Sequence, residues 1–69
     1  MQVSYDLYFK SGDTESITKY RFPMKQQALR KAMTLNNGLK LKGYTDREYI
    51  VYKITKERIN NGWKRFWIN

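Results

Sequence analysis

From Val3 to Phe9 the apolar residues fall on every second position (Val3, Tyr5, Leu7, Phe9), the period of a strand with one buried face. Ser11-Gly12-Asp13-Thr14 follows as a hairpin turn, with Gly12-Asp13 as a two-residue loop of the primed type. Pairing Ser11 with Thr14 sets Lys10 opposite Glu15, Asp6 opposite Lys19, Tyr5 opposite Tyr20 and Val3 opposite Phe22. Two opposite-charge pairs and two aromatic or apolar pairs result. Each such pair contributes roughly 0.2–1 kcal/mol, which favours this register over a one-residue slip.

Pro23 closes the second strand and is suited to the first turn of a helix, where its missing N–H is not needed. Ala28, Leu29, Ala32, Met33 and Leu35 predict the apolar face of that helix, with Gln26, Gln27, Arg30, Lys31 and Thr34 on the other side. Its N-terminus is poorly capped. Asn36-Asn37-Gly38 predicts the stop, although Leu39 would continue the apolar face if the helix ran on to Gly43. A third strand is predicted from Glu48 to about Ile59 and a fourth from Trp63 to Ile68. Asn60-Asn61-Gly62 suits a three-residue hairpin loop that pairs Ile59 with Trp63, Glu57 with Arg65, Thr55 with Trp67 and Ile54 with Ile68. A two-residue Asn61-Gly62 loop would shift every pair by one. With no repeat, linker or low-complexity segment, residues 1–69 read as one α+β domain of hairpin-helix-hairpin (ββαββ) plan. An antiparallel sheet would carry one helix on one face.

On these registers the helix-facing side of the sheet collects Val3, Tyr5, Leu7, Phe9, Tyr20, Phe22, Ile50, Tyr52, Ile54, Phe66 and Ile68. The opposite side then carries Tyr8, Ile17, Lys19 and Arg21 from the first hairpin, and Tyr49, Val51, Lys53, Trp63, Arg65 and Trp67 from the second. A single-layer sheet leaves those rings open to water, and an open apolar patch marks a binding surface.

Composition narrows the chemistry. A chain of 69 residues buries only roughly 60% of the surface its unfolded form exposes, so the stability margin is thin. Cys and His are both absent, which removes disulfides, thiolate chemistry and the usual zinc or haem ligands. Eleven aromatic residues remain as core and contact surface. The hydroxyls Ser4, Ser11 and Ser16 have no base beside them, and the carboxylates Asp6, Asp13, Glu15, Asp46, Glu48 and Glu57 are scattered. The glycines are isolated and form no phosphate-cradling loop. A non-catalytic protein without cofactor or metal is expected. No segment has the roughly 20 apolar residues of a membrane span, and the start lacks a signal-peptide layout, so the expected location is the cytoplasm.

Charge points to a partner. The formal net charge is +8, all of it in residues 25–69, where eleven Lys and Arg face Asp46, Glu48 and Glu57. Such a field attracts polyanions. Aromatic rings interleaved with cations suit nucleic acid, because bases stack on rings while cations track phosphates. On that reading Trp63, Trp67 and Tyr49 form the stacking platform, and Lys53, Arg65, Lys64, Arg58 and Lys56 hold the backbone. Arg30 and Lys31 on the helix make a second, weaker patch.

The same residues also fit a homodimer whose sheets stack through Trp63, Trp67, Val51 and Tyr49, leaving Lys40, Lys42 and Arg47 for a polyanion. A third reading is an inhibitor or adaptor that grips an acidic protein partner with Trp, Tyr and Arg. The Lys-, Asn- and Tyr-rich composition resembles that of accessory proteins of phages or prophages in AT-rich bacteria, a likeness of composition and not of any motif.

Overall fold

The computed structural model describes residues 2–57 and 62–69, and their side chains except those of Gln2, Lys56, Glu57 and Trp63. Strands β1 (Gln2–Ser11) and β2 (Thr14–Phe22) are followed by helix α1 (Lys25–Leu41) and then by strands β3 (Arg47–Glu57) and β4 (Gly62–Trp67). All four strands form one sheet of order β2-β1-β3-β4 with antiparallel neighbours. The helix packs on β1, β2 and β3. The α+β plan read from the sequence, ββαββ with the helix on one face, is the plan observed.

The alternation of β1 places it at the centre, paired with β3 without interruption from Gln2↔Lys56 to Ser11↔Arg47. Leu7 and Val51 face each other in that ladder and are wholly buried beneath Ala28 and Ala32. Two alanines at a spacing of four let the helix come close to the sheet, and burying Leu7 and Val51 contributes roughly 1.5–3 kcal/mol each. Tyr5, Tyr20, Phe22, Leu29, Leu35, Tyr49 and Ile68 close the core around them.

Several expectations are corrected. Met33 is exposed, because it stands about 140° round the helix from Ala28 and falls off the stripe that Ala28 and Ala32 define. Pro23 lies outside the helix, ahead of the N-cap Met24, which makes no side-chain cap. The helix does not stop at Gly38. Only Gly12 and Gly43 have positive φ among the described glycines, and Gly43 (φ 87°) makes the left-handed turn that ends α1. The Gly43 N–H donates to the Lys40 carbonyl (3.0 Å) and the Tyr44 N–H to the Leu39 carbonyl (3.1 Å), the paired bonds of a Schellman motif.

The first hairpin begins in the expected register, with Ser11↔Thr14, Lys10↔Glu15 and Tyr8↔Ile17. It then slips by two residues, so that Asp6 faces Arg21 and Tyr5 faces Phe22, in place of the predicted Lys19 and Tyr20. Thr18, Lys19 and Tyr20 together oppose Leu7. The Thr18 hydroxyl holds this bulge, donating to the Leu7 carbonyl (2.6 Å) and accepting from the Tyr20 N–H (3.2 Å). An even slip keeps every side chain on its face.

The second hairpin departs by an odd number. Glu57 pairs with Gly62, Lys56 with Trp63, Thr55 with Lys64, Ile54 with Arg65, Lys53 with Phe66 and Tyr52 with Trp67. Residues 58–61 join the strands, so the turn expected at Asn60-Asn61 lies outside the described residues. The facing of β3 is the reverse of that predicted: Tyr49, Val51 and Lys53 are on the helix side, and Ile50, Tyr52 and Ile54 on the other. Both sets in Tyr49–Ile54 are mostly apolar, and only the pairing of Leu7 with Val51 fixes which goes under the helix.

Candidate functional site

The face that α1 leaves bare is organised in rows across the sheet. One row runs through all four strands: Arg21 on β2, Asp6 on β1, Tyr52 on β3 and Trp67 on β4. Adjacent rows hold Ile17, Tyr8 and Ile50 on one side, and Ser4, Ile54 and Arg65 on the other. Neighbouring strands lie roughly 4.8 Å apart, so residues within a row stand side by side.

Ring and cation contacts bind these rows together. The Tyr8 and Tyr52 rings meet edge to face at 4.9 Å, and the Arg65 guanidinium lies 4.3 Å from the Tyr52 ring centre and 5.2 Å from that of Tyr8. The Tyr52 hydroxyl donates to Glu15 Oε1 (2.6 Å). That bond, with burial and the Glu15 charge, raises the Tyr52 phenol above its ordinary value, against the lowering pull of Arg65. Asp6 is buried, and its Oδ2 faces Arg21 Nε at 3.3 Å. At the end of the row Trp67 is 66% exposed.

The residues singled out from the sequence are placed unequally. Trp67 and Arg65 are on the bare face, side by side with Tyr8 and Tyr52. Tyr49 is not: it packs into the core beneath the helix, 5.1 Å from the Phe9 ring, so it offers no stacking platform on the open side. Lys53 and Lys64 also belong to the helix side, opposite Phe66 and Thr55 respectively. Trp63 and Lys56 hold facing ladder positions, and Arg58 lies outside the described residues. Arg30 and Lys31 flank a shallow hollow with Phe22, Gln27 and Thr34 on the helix side, where the Lys31 ammonium sits 5.0 Å over the Tyr20 ring. Lys31 therefore covers the core edge, away from the bare face.

Sequence reasoning left Asp6 and Tyr52 out of the site. The signal for Asp6 was present: a carboxylate between Tyr5 and Leu7 in the most regular strand demands a partner. Tyr52 gave no such signal, because its facing depended on the partner strand. Comparisons with protein-family models, with curated proteins and with solved structures find no match to this chain.

Proposed function

We propose that this is a small non-catalytic protein that binds single-stranded nucleic acid on the bare face of its sheet. The observation that carries the reading is the exposed Trp67 indole at the end of a row whose neighbour, Arg65, is already stacked on Tyr8 and Tyr52. An exposed ring takes a base by stacking, and a guanidinium beside it takes the phosphate that follows. The net charge of +8 supplies the long-range attraction. An open, four-stranded face suits splayed bases better than it suits a groove of duplex DNA.

The test is a titration of labelled DNA and RNA oligomers, read by anisotropy at two salt concentrations. The expected affinity falls with salt at a log-log slope near −0.7 per phosphate contact, roughly the value for single strands. Trp67→Ala is expected to weaken binding about tenfold or more while leaving the melting curve unchanged, since stacking is worth ~1–3 kcal/mol per base. Salt-insensitive binding, or none, refutes the proposal.

A second reading, self-association through this face, is favoured by the apolar exposure of Trp67 and Ile17 on the same surface. Against it stands the repulsion between two copies that each carry +8. A monomeric mass by light scattering at high micromolar concentration would rule it out.

A further inference from the structure

Strand β2 stands at one edge of the sheet, and its outer side pairs with no strand among the described residues. An edge of nine residues presents a row of unpaired N–H and C=O groups, a template for another strand unless a proline, a short length or a covering element blocks it. Thr14–Phe22 contains no proline, and Thr14 to Ile17, Lys19 and Arg21 are exposed. Its one irregularity is the bulge at Thr18, where the even slip preserves the alternation on both sides.

The pairing shows which backbone groups face outward. Ser11↔Thr14 closes a two-residue loop and is a hydrogen-bonded pair, so the odd-numbered residues of β1 turn their backbone groups to β2 and the even-numbered ones to β3. The Leu7 carbonyl, bonded by the Thr18 hydroxyl (2.6 Å), and the Gly12 N–H, bonded to the Asp46 carbonyl (3.0 Å), follow that rule. The partners of Lys10, Tyr8 and Asp6 are Glu15, Ile17 and Arg21, which therefore direct their own N–H and C=O groups to the open edge.

A second copy of β2, related by a twofold axis, meets those groups in a register that the side chains select. With the axis at Ile17, Glu15 faces Lys19, Asp13 faces Arg21, and Ile17, 64% exposed in the single chain, faces its own twin. An axis at Ser16 leaves only Asp13 with Lys19, and one at Thr18 only Glu15 with Arg21. Both set Ile17 against a charged residue. Glu15 is held by Tyr52 through Oε1 and Arg21 meets Asp6 through Nε, so Glu15 Oε2 and the Arg21 Nη groups are left for the partner copy. Residues 1–24 balance Lys10, Lys19 and Arg21 against Asp6, Asp13 and Glu15, so this edge carries none of the +8 that opposes stacking of the bare faces.

We propose that the protein forms a twofold dimer through β2, with Ile17 on the axis, joining two sheets into one of eight strands. The same patch serves both copies, and antiparallel pairing keeps the two bare faces on one side of the joined sheet. This interface goes beyond the nucleic-acid reading and does not depend on it.

The experiment uses the full chain. Light scattering over about 10 µM to 1 mM is expected to show the mass rising from that of one chain toward twice that value. Lys19→Glu and Glu15→Lys each set like charges opposite one another, and each should weaken the dimer about tenfold or more. An equimolar mixture of the two variants restores opposite charges at both contacts and should recover the parent affinity. The chain has no Cys, so Ile17→Cys introduces a single thiol. In a hydrogen-bonded antiparallel pair its Cα lies roughly 5.5 Å from its twin, inside the roughly 4.4–6.8 Å range of a disulfide. Oxidation should cross-link it far faster than Thr14→Cys, whose twins stand roughly 20 Å apart along the strands. Should Glu15→Lys fail to fold without its Tyr52 bond, Lys19→Glu and the Cys pair still decide. The mass of one chain at every concentration overturns the proposal, as do equal cross-linking of the two Cys variants or a mixture no tighter than its components. A dimer lost in Trp67→Ala and untouched by Lys19→Glu overturns the edge and assigns association to the bare face.

Discussion

Asn36 is a polar residue on the apolar stripe of α1, and its partner explains why it is there. Strand β4 and its continuation cover β3 as far as Val51, whose N–H donates to the Asn69 carbonyl (2.8 Å). The next outward-facing backbone pair on β3 belongs to Tyr49 and has no strand to meet it. Asn36 supplies both missing groups: its Nδ2 donates to the Tyr49 carbonyl (3.0 Å), and its Oδ1 accepts from the Tyr49 N–H (2.6 Å). Replacing Asn36 by Ala removes two hydrogen bonds at a half-buried position. A loss of about 2 kcal/mol in denaturant unfolding is expected, with no rescue by Asn36→Leu. Tyr52 yields a pH prediction. The ordinary phenol value is 10.0, and the folded chain holds the proton more tightly than that. The associated stabilisation is complete below about pH 10 and is lost as pH rises from there through the higher folded value. Tyr52→Phe should therefore show a shallower alkaline loss of stability than the parent between about pH 9 and 11, and equal slopes would mean that the Glu15 bond is not formed.

At the scale of elements, the helix terminus makes a paired prediction. Gly38 is helical and an added Cβ would meet nothing within 4 Å, so Gly38→Ala should stabilise by roughly 0.5–1 kcal/mol. Gly43 also has open space around it, yet its φ of 87° is strained for any other residue. Gly43→Ala should destabilise by about 1 kcal/mol, as read from denaturant midpoints. The opposite signs would locate the end of α1 at Gly43. The sequence misleads at this end because Asn36-Asn37-Gly38 is composed like a stop, while Asn36 in fact belongs to the helix for the sake of Tyr49. The strands behave similarly. β1 is legible because only one of its faces is strongly apolar, whereas Tyr49–Ile54 is mostly apolar on both, although the helix covers only one of them. The bulge at Thr18 has no local signature beyond a hydroxyl able to replace a ladder bond.

For the whole molecule, stability is governed by a small core and a large charge. Leu7 and Val51 lie under two alanines, and α1 touches β1, β2 and β3 but makes no contact with β4 among the described residues, so Phe66 stays 49% exposed even on the helix side. A net charge of +8 on such a fold repels itself, and salt screens that repulsion over a Debye length of roughly 10 Å at 0.1 M. The melting temperature should rise by a few degrees as salt goes from about 20 to 300 mM, a range over which oligomer affinity should fall. A melting temperature that declined with salt would indicate that attractive ion pairs outweigh the repulsion. The ion pairs Arg21–Asp6 and Arg47–Asp46 each have a partner largely exposed to water, which gives them little weight against it.

Element order, the first turn, the small helix face under which the core forms and the excess of positive charge were all determined by local sequence, because each follows from spacing or composition within a few residues. Which face of β3 lies under the helix, how far β2 slips past β1 and which side chains share a row with Trp67 were decided only in the folded chain. Those depend on registers between strands, and a register is set by contacts between residues far apart in sequence. Trp67 was legible as a surface residue; the Asp6, Arg21 and Arg65 cluster beside it exists only because four strands bring those residues together.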